Sequence, residues 1–220
     1  MSLRILLVDD HAIVRQGVRQ LLLSHGVARE VVEAESGAQA LGNLEGEQPY
    51  DIVLLDISLP DMNGVEVLKR AKRRAPRTPV MMFSMFREDQ YAVRSLKAGA
   101  AGYLSKTVTA AQMIEAVRQV AGGRKYVSPA LAEALAEYVS VDNEQQLPHE
   151  KLSDREYQTL CMLASGKRLT DIANALSLSV KTVSVYRTRL LEKMKLSNNA
   201  ELTFYVMSNR LIEFNPAINT

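Results

Sequence analysis

Two hydrophobic rhythms divide the chain. Up to about residue 121, continuous apolar runs alternate with segments whose apolar positions recur every three or four residues. The runs at 4–8, 31–34, 52–55, 79–83 and 102–104 predict strands buried on both faces. Between them, 12–24, 37–44, 64–74, 89–98 and 109–121 predict helices. Five strand-then-helix units predict a doubly wound α/β domain with a five-stranded parallel sheet and helices on both faces. In such sheets function gathers outside the carboxyl ends of the strands, at the topological switch point.

The first rhythm stops at Gly122-Gly123. A short Ala-rich helix is expected near 129–138, with Ser128 as its cap and Pro129 at its first position. The polar stretch 139–150, which contains Pro148, reads as linker. Beyond it every segment has helical period: 154–165, 169–176, 180–194 and 199–209. The expected organisation is an α/β domain over 1–121, a linker over 122–150 and an all-α domain over 151–220.

The strand ends carry the chemistry. The first predicted strand ends in Asp9-Asp10, the third in Asp56 and the fourth in Ser84, and Lys106 follows the fifth. Parallel strands bring these side chains to one edge of the sheet. Carboxylates crowded together repel one another and bind a hard divalent cation through oxygen. A lysine and a hydroxyl beside them suit a phosphoryl group, and Asp56 is the natural nucleophile, because a carboxylate can form an acyl phosphate. A lone strand-end Asp is usually a cap, and a lone Lys usually solvated surface. The conjunction at successive strand ends is what argues for a site. His11 reads as the start of the first helix rather than as a ligand of so oxygen-rich a site.

These motifs resemble a receiver domain of two-component signalling: the acidic pair after the first strand, Asp56-x-x-x-Pro60 followed by Asn63-Gly64, and Gly102-Tyr103-Leu104-Ser105-Lys106. The similarity runs over about residues 2–121. It implies that Asp56 accepts phosphate from a sensor histidine kinase. It implies Mg2+ held by Asp10, Asp56 and the backbone carbonyl of Ser58, with Asp9 contributing through water. Lys106 and Ser84 would then contact the phosphoryl group and Tyr103 would be the coupled aromatic switch. Ser58 and Phe86 would flank the pocket where family members tune phosphate lifetime.

In the helical part, the segments 169–176 and 180–194 are joined by Ser177-Leu178-Ser179, with Ser179 placed to cap the second. That second helix has a core stripe, Val183, Tyr186, Leu190 and Met194, and an opposite stripe, Lys181, Ser184, Val185 and Thr188. Arg187, Arg189, Lys193 and Lys195 surround the open stripe. A basic-rimmed helix with small side chains on its free face fits the major groove of double-stranded DNA. The expected division is cations on phosphates, with Ser184, Val185 and Thr188 near base edges. The segments 152–156, 171–173 and 178–183 resemble a LuxR-type helix-turn-helix over about residues 150–212. With the receiver in front, the chain resembles the NarL/FixJ class of response regulators. Tyr186-Arg187-Thr188-Arg189 and Ala200-Glu201-Leu202-Thr203 are similar to its GacA/UvrY branch. The resemblance implies a homodimer when phosphorylated.

Composition narrows the alternatives. At 47% hydrophobic and 24% charged the chain suits a globular core. No apolar run reaches membrane-spanning length, and the apolar N-terminal stretch is too short for a signal peptide, so no membrane partner and a cytoplasmic location are expected. The single Cys161 excludes an internal disulfide and sits among Leu160, Met162 and Leu163 as a core residue. Net charge is +2, with 9 basic against 6 acidic residues over 152–220. A phosphohydrolase built on Asp56 would want a second acid two residues on, where Ser58 stands, and there is no Gly-rich nucleotide loop. The expectation is a switch and not an enzyme. A constitutive DNA-binding protein with a degenerate receiver is disfavoured by the presence of all five pocket residues.

Overall fold

The computed structural model describes residues 2–46, 48–85, 88–128, 131–132, 147–209 and 211–212. The chain forms two compact units, residues 1–138 and 139–220. The first contains β1 (Leu3–Val8), α1 (Ala12–Ser24), β2 (Ala28–Ala34), α2 (Gly37–Asn43), β3 (Ile52–Leu55), α3 (Gly64–Arg74), β4 (Val80–Ser84), α4 (Glu88–Lys97), β5 (Gly102–Ser105) and α5 (Ala110–Ala121). The strands form one parallel sheet in the order β2-β1-β3-β4-β5, so the winding reverses between β1 and β3.

The uninterrupted apolar runs have a simple cause. Ile5, Leu7, Ile52, Leu54, Met81, Phe83 and Leu104 pack in one core with Val18 and Leu22 of α1 and Met113, Ala116, Val117 and Val120 of α5. The alternate residues Leu6, Val8, Val53, Leu55 and Met82 point to the other face and are buried as well. Each large aliphatic side chain so buried contributes about 1.5–3 kcal/mol, and truncating Leu22 to Ala is expected to cost about 2–5 kcal/mol. The bounds of α1 and α3 agree with the periodicity. β2 begins three residues earlier than expected, because Arg29 and Glu30 are exposed on this edge strand and interrupt its apolar pattern.

The second unit opens with a 3-10 turn, Pro148–Lys151, followed by α6 (Asp154–Ala164), α7 (Leu169–Ala175), α8 (Val180–Met194) and α9 (Asn199–Ser208). Ten of the eleven residues of α6 are buried, which makes it the centre of this unit, with α8 and α9 packed on it. Ser153 and Glu156 close a reciprocal capping box at its start. Residues 147–150, expected as linker, belong to this fold. The Glu150 carboxylate accepts the Leu147 N–H at 3.0 Å, and His149 Nδ1 is 2.9 Å from the Tyr205 hydroxyl. The expected helix near 129–138 lies outside the described residues except for Leu131 and Ala132, as does the linker over 139–146.

Candidate functional site

The sheet ladder itself delivers the pocket. Beyond the last strand residues, Asp9 N–H donates to Ala34 O at 3.0 Å, Asp56 N–H to Val8 O at 2.9 Å and Lys106 N–H to Ser84 O at 2.9 Å. Backbone bonds of this kind fix each strand end against its neighbour, so Asp9, Asp56, Ser84 and Lys106 converge at the switch between β1 and β3. The Lys106 ammonium lies 2.5 Å from Asp9 Oδ2 and 2.9 Å from Asp56 Oδ2. Asp56 Oδ1 accepts the Ile57 N–H at 2.7 Å.

These charges are buried. Asp9, Asp56 and Ser84 expose 0%, 2% and 1% of their surfaces. Burial pushes the Asp56 carboxyl above the usual carboxylate range. The Lys106 charge and the Ser84 hydroxyl oppose that push, and the neighbouring Asp9 charge adds to it. Burial works to lower the Lys106 pKa, but the two carboxylates together outweigh it and hold the ammonium above its ordinary value.

Carboxylate oxygens of Asp9, Asp10 and Asp56 and a ring nitrogen of His11 lie within 4.8 Å of one another. Asp9 and Asp56 share the one Lys106 ammonium, and the Asp10 carboxylate stands beside them. The donor set is hard and anionic and suits a divalent cation such as Mg2+. His11 is the residue before α1 and its imidazole rests on the acids, 3.2 Å from Asp9 Oδ1 and 2.7 Å from Asp10 Oδ1.

Other expected residues take distinct places. Ser58 is half-buried on the loop after β3 and bridges to Asn63. Tyr103 is fully buried, not half-buried as a strand tyrosine commonly is. Phe86 lies outside the described residues. Gly64 packs onto Asp56 so tightly that a Cβ there would stand 1.9 Å from the Asp56 carbonyl oxygen. Sequence reasoning missed Arg15, whose guanidinium donates to Asp9 O at 2.6 Å while pairing with Glu33 at 3.2 Å. Its signal, an arginine one turn into α1, is too common to read alone.

In the second unit, Ser177 adopts the left-handed region (φ 52°) and Leu178 N–H donates to Ala173 O at 2.8 Å, which makes the tight turn between α7 and α8. Ser179 caps α8, accepting Thr182 N–H at 3.0 Å. Lys181, Ser184, Val185, Thr188 and Arg189 are all exposed on α8. Three expectations shift. Tyr186 is half-buried, and Leu191 joins Val183, Leu190 and Met194 in the core instead. Lys193 pairs with the capping carboxylate of Glu156 at 2.6 Å. Arg187 Nε donates to Asn199 Oδ1 at 2.8 Å, tying α8 to the start of α9.

Both units have known relatives. Residues 5–118 match the response regulator receiver domain family and residues 150–206 match the bacterial regulatory proteins of the luxR family. The chain is 35% identical to the response regulator GacA of Pseudomonas protegens, over 96% of this chain and 98% of that one. It is 32% identical to the response regulator UvrY of Escherichia coli O6:H1, over 95% of both. Its fold is similar to that of RcsB from Salmonella enterica serovar Typhimurium, solved bound to a promoter in the presence of a phosphomimetic. The TM-score is 0.58 at 24% identity, covering 95% of this chain and all of that one. The chain therefore belongs to the two-component response regulators, phosphorylation-controlled transcription regulators that join a receiver domain to a LuxR-type DNA-binding domain.

Proposed function

We propose that Asp56 is the phosphoryl acceptor and that its phosphorylation switches how α8 engages DNA. The observation that carries this reading is the burial of Asp9 and Asp56 around a shared Lys106 ammonium at a sheet switch point. Asp10, Asp56 and the Ser58 carbonyl would hold Mg2+ directly, with Asp9 acting through water. When bound, the cation neutralises the carboxylates and steadies the phosphoryl oxygens. A carboxylate oxygen of Asp56 attacks the phosphorus of a phosphohistidine on the sensor kinase. The new O–P bond forms as the P–N bond breaks, and the imidazole leaves with the bonding pair. Lys106 and Ser84 then turn to the phosphoryl oxygens, and Tyr103 on the same strand as Lys106's approach follows the pocket. Ser58, two residues after Asp56, offers no carboxylate for rapid hydrolysis, which favours a switch over a turnover enzyme.

On DNA, Lys181 and Arg189 would serve phosphates, Arg187 and Lys193 would join them by leaving Asn199 and Glu156, and Ser184, Val185 and Thr188 would approach base edges. The family relation and the promoter-bound RcsB support double-stranded DNA as partner, and the RcsB dimers solved on DNA support a homodimer on paired half-sites. The cytoplasm, where kinase and chromosome meet, is the place for this work, and no helix among the described residues is long and apolar enough to cross a membrane. The test is labelling by acetyl phosphate with Mg2+. Wild-type protein should take up one acid-labile phosphate per chain and Asp56→Asn none. Equal labelling of the two would overturn the assignment.

A further inference from the structure

The loop between Asp56 and α3 carries the Ser58 carbonyl, yet part of it is held by a residue outside the pocket. Asp61 Oδ1 accepts the Gly37 N–H at 2.8 Å and the Met62 N–H at 3.0 Å, and Oδ2 accepts the Ala38 N–H at 2.7 Å. The Gly37 and Ala38 donors belong to the first turn of α2, where helical N–H groups have no partner of their own. One carboxylate thus fastens the β3–α3 loop to the start of α2. The approach leaves no room for a side chain on the far side: a Cβ on Gly37 would lie 2.6 Å from Met62 Cγ and 2.7 Å from Val67 Cγ2. Burial works to raise the Asp61 carboxyl, but the converging N–H groups outweigh it and hold it below the usual range.

The other end of the loop is pinned separately. Gly64 N–H donates to Ile57 O at 2.8 Å, and the Asn63 side chain caps α3 by accepting Val65 N–H at 2.8 Å. Ser58, which bridges to Asn63, and Leu59 and Pro60 lie between Ile57 and the Asp61 anchor.

We propose that Asp61 and Gly37 form a clasp that fixes the Ser58 carbonyl and thereby sets the affinity of the acidic pocket for its divalent cation. The proposal rests on the Mg2+ reading of that pocket. Asp61 is a positioning residue, since its carboxylate is committed to backbone donors. A peptide carbonyl carries no net charge to draw a cation in. Its worth as a ligand depends on being held in place beforehand, because a loose loop must be ordered when the cation arrives. Groups that orient metal ligands from behind typically change metal affinity by about 10–100-fold.

A purely structural role for Asp61, capping α2, makes a different forecast, and three measurements on the full chain separate the two. Mg2+ binding to unphosphorylated protein, read by titration calorimetry, should weaken about tenfold in Asp61→Ala. The Mg2+ concentration for half-maximal labelling by acetyl phosphate should rise by the same factor, while the labelling rate at saturating Mg2+ stays at the wild-type value. Amide exchange in metal-free protein should speed up at Gly37, Ala38 and Met62. Asp61→Asn, which keeps one acceptor oxygen, should fall between wild type and Asp61→Ala, and Gly37→Ala should reproduce the Asp61→Ala pattern. Unchanged Mg2+ affinity in Asp61→Ala alongside faster exchange at Gly37 and Ala38 would overturn the proposal. So would an equal loss of labelling rate at saturating Mg2+, which is the mark of general damage to the fold. Asp56→Asn run in parallel isolates the parent reading, because normal labelling of that variant would remove the pocket assignment whatever Asp61 does.

Discussion

Asp9, Asp56 and Ser84 are almost wholly buried, whereas Val185 on α8 leaves 42% of its surface open to solvent. The two regions meet partners on opposite terms. In the pocket each charge already has a protein neighbour: Lys106 bridges two carboxylates, Arg15 holds the Asp9 carbonyl, and Gly64 is pressed on the Asp56 backbone. Burying two acids, Asp9 and Asp56, against one lysine costs stability, and the arrangement persists because the surrounding sheet over-determines it. On α8 the outward stripe makes few commitments, such as the Thr188 hydroxyl donating to Ser184 O within its own helix. Substitutions in the pocket should therefore register as stability and cation dependence. Substitutions on the α8 stripe should register as partner choice, with stability changes within about 0.5 kcal/mol.

The sharpest way to break this contrast is Lys106→Met. It leaves buried carboxylates without their counter-charge and should destabilise the metal-free first unit by about 3–5 kcal/mol. Mg2+ should restore much of the loss, as read by thermal unfolding with and without the cation. Next, Gly64→Ala forces a methyl group against the Asp56 carbonyl and should cost about 3 kcal/mol in chemical denaturation and reduce labelling. On α8, Val185→Ala or Thr188→Ala should change discrimination among operator sequences by about 1–3 kcal/mol per lost base contact. A binding panel across sequences checks this, and an unchanged ranking would mean that α8 is not the reader.

The smallest effect is structural and lies in the second unit. Burial alone raises the Glu156 carboxyl, but Lys193 and the Ser153 donors outweigh it and hold its pKa below the ordinary 4.5. Stability from a depressed carboxyl is present above the unfolded value and fades as pH falls through the folded one. Glu156→Gln should therefore cost about 1–2 kcal/mol at neutral pH, with Lys193 half in solvent limiting the size. It should also flatten the acid-side fall in melting temperature that begins below pH 4.5.

Much of the fold was legible because it depends on local rhythm. Strands buried on both faces read as unbroken apolar runs, and α1, α3 and α8 end where their period ends. The pocket was legible because parallel strands carry their terminal residues to one edge. What stayed hidden depends on pairs distant in sequence. Glu156 closes the capping box of α6, and nothing local in the sequence says that Lys193 also reaches it. Asp61 lies on the β3–α3 loop, and nothing local in the sequence points to its partners, the N–H groups of Gly37 and Ala38. Tyr186 kept the core spacing but is only half-buried, with Leu191 beside Leu190 joining the core one position off the stripe.

The central claim joins the two regions: chemistry at Asp56 changes what α8 does on DNA. Its most direct test is the affinity of full-length protein for an operator fragment at fixed salt, with and without beryllofluoride and Mg2+, for wild type and Asp56→Asn. The account predicts that beryllofluoride shifts the wild-type Kd while leaving Asp56→Asn unmoved. An equal shift in both proteins, or none in wild type that demonstrably binds beryllofluoride, would contradict it.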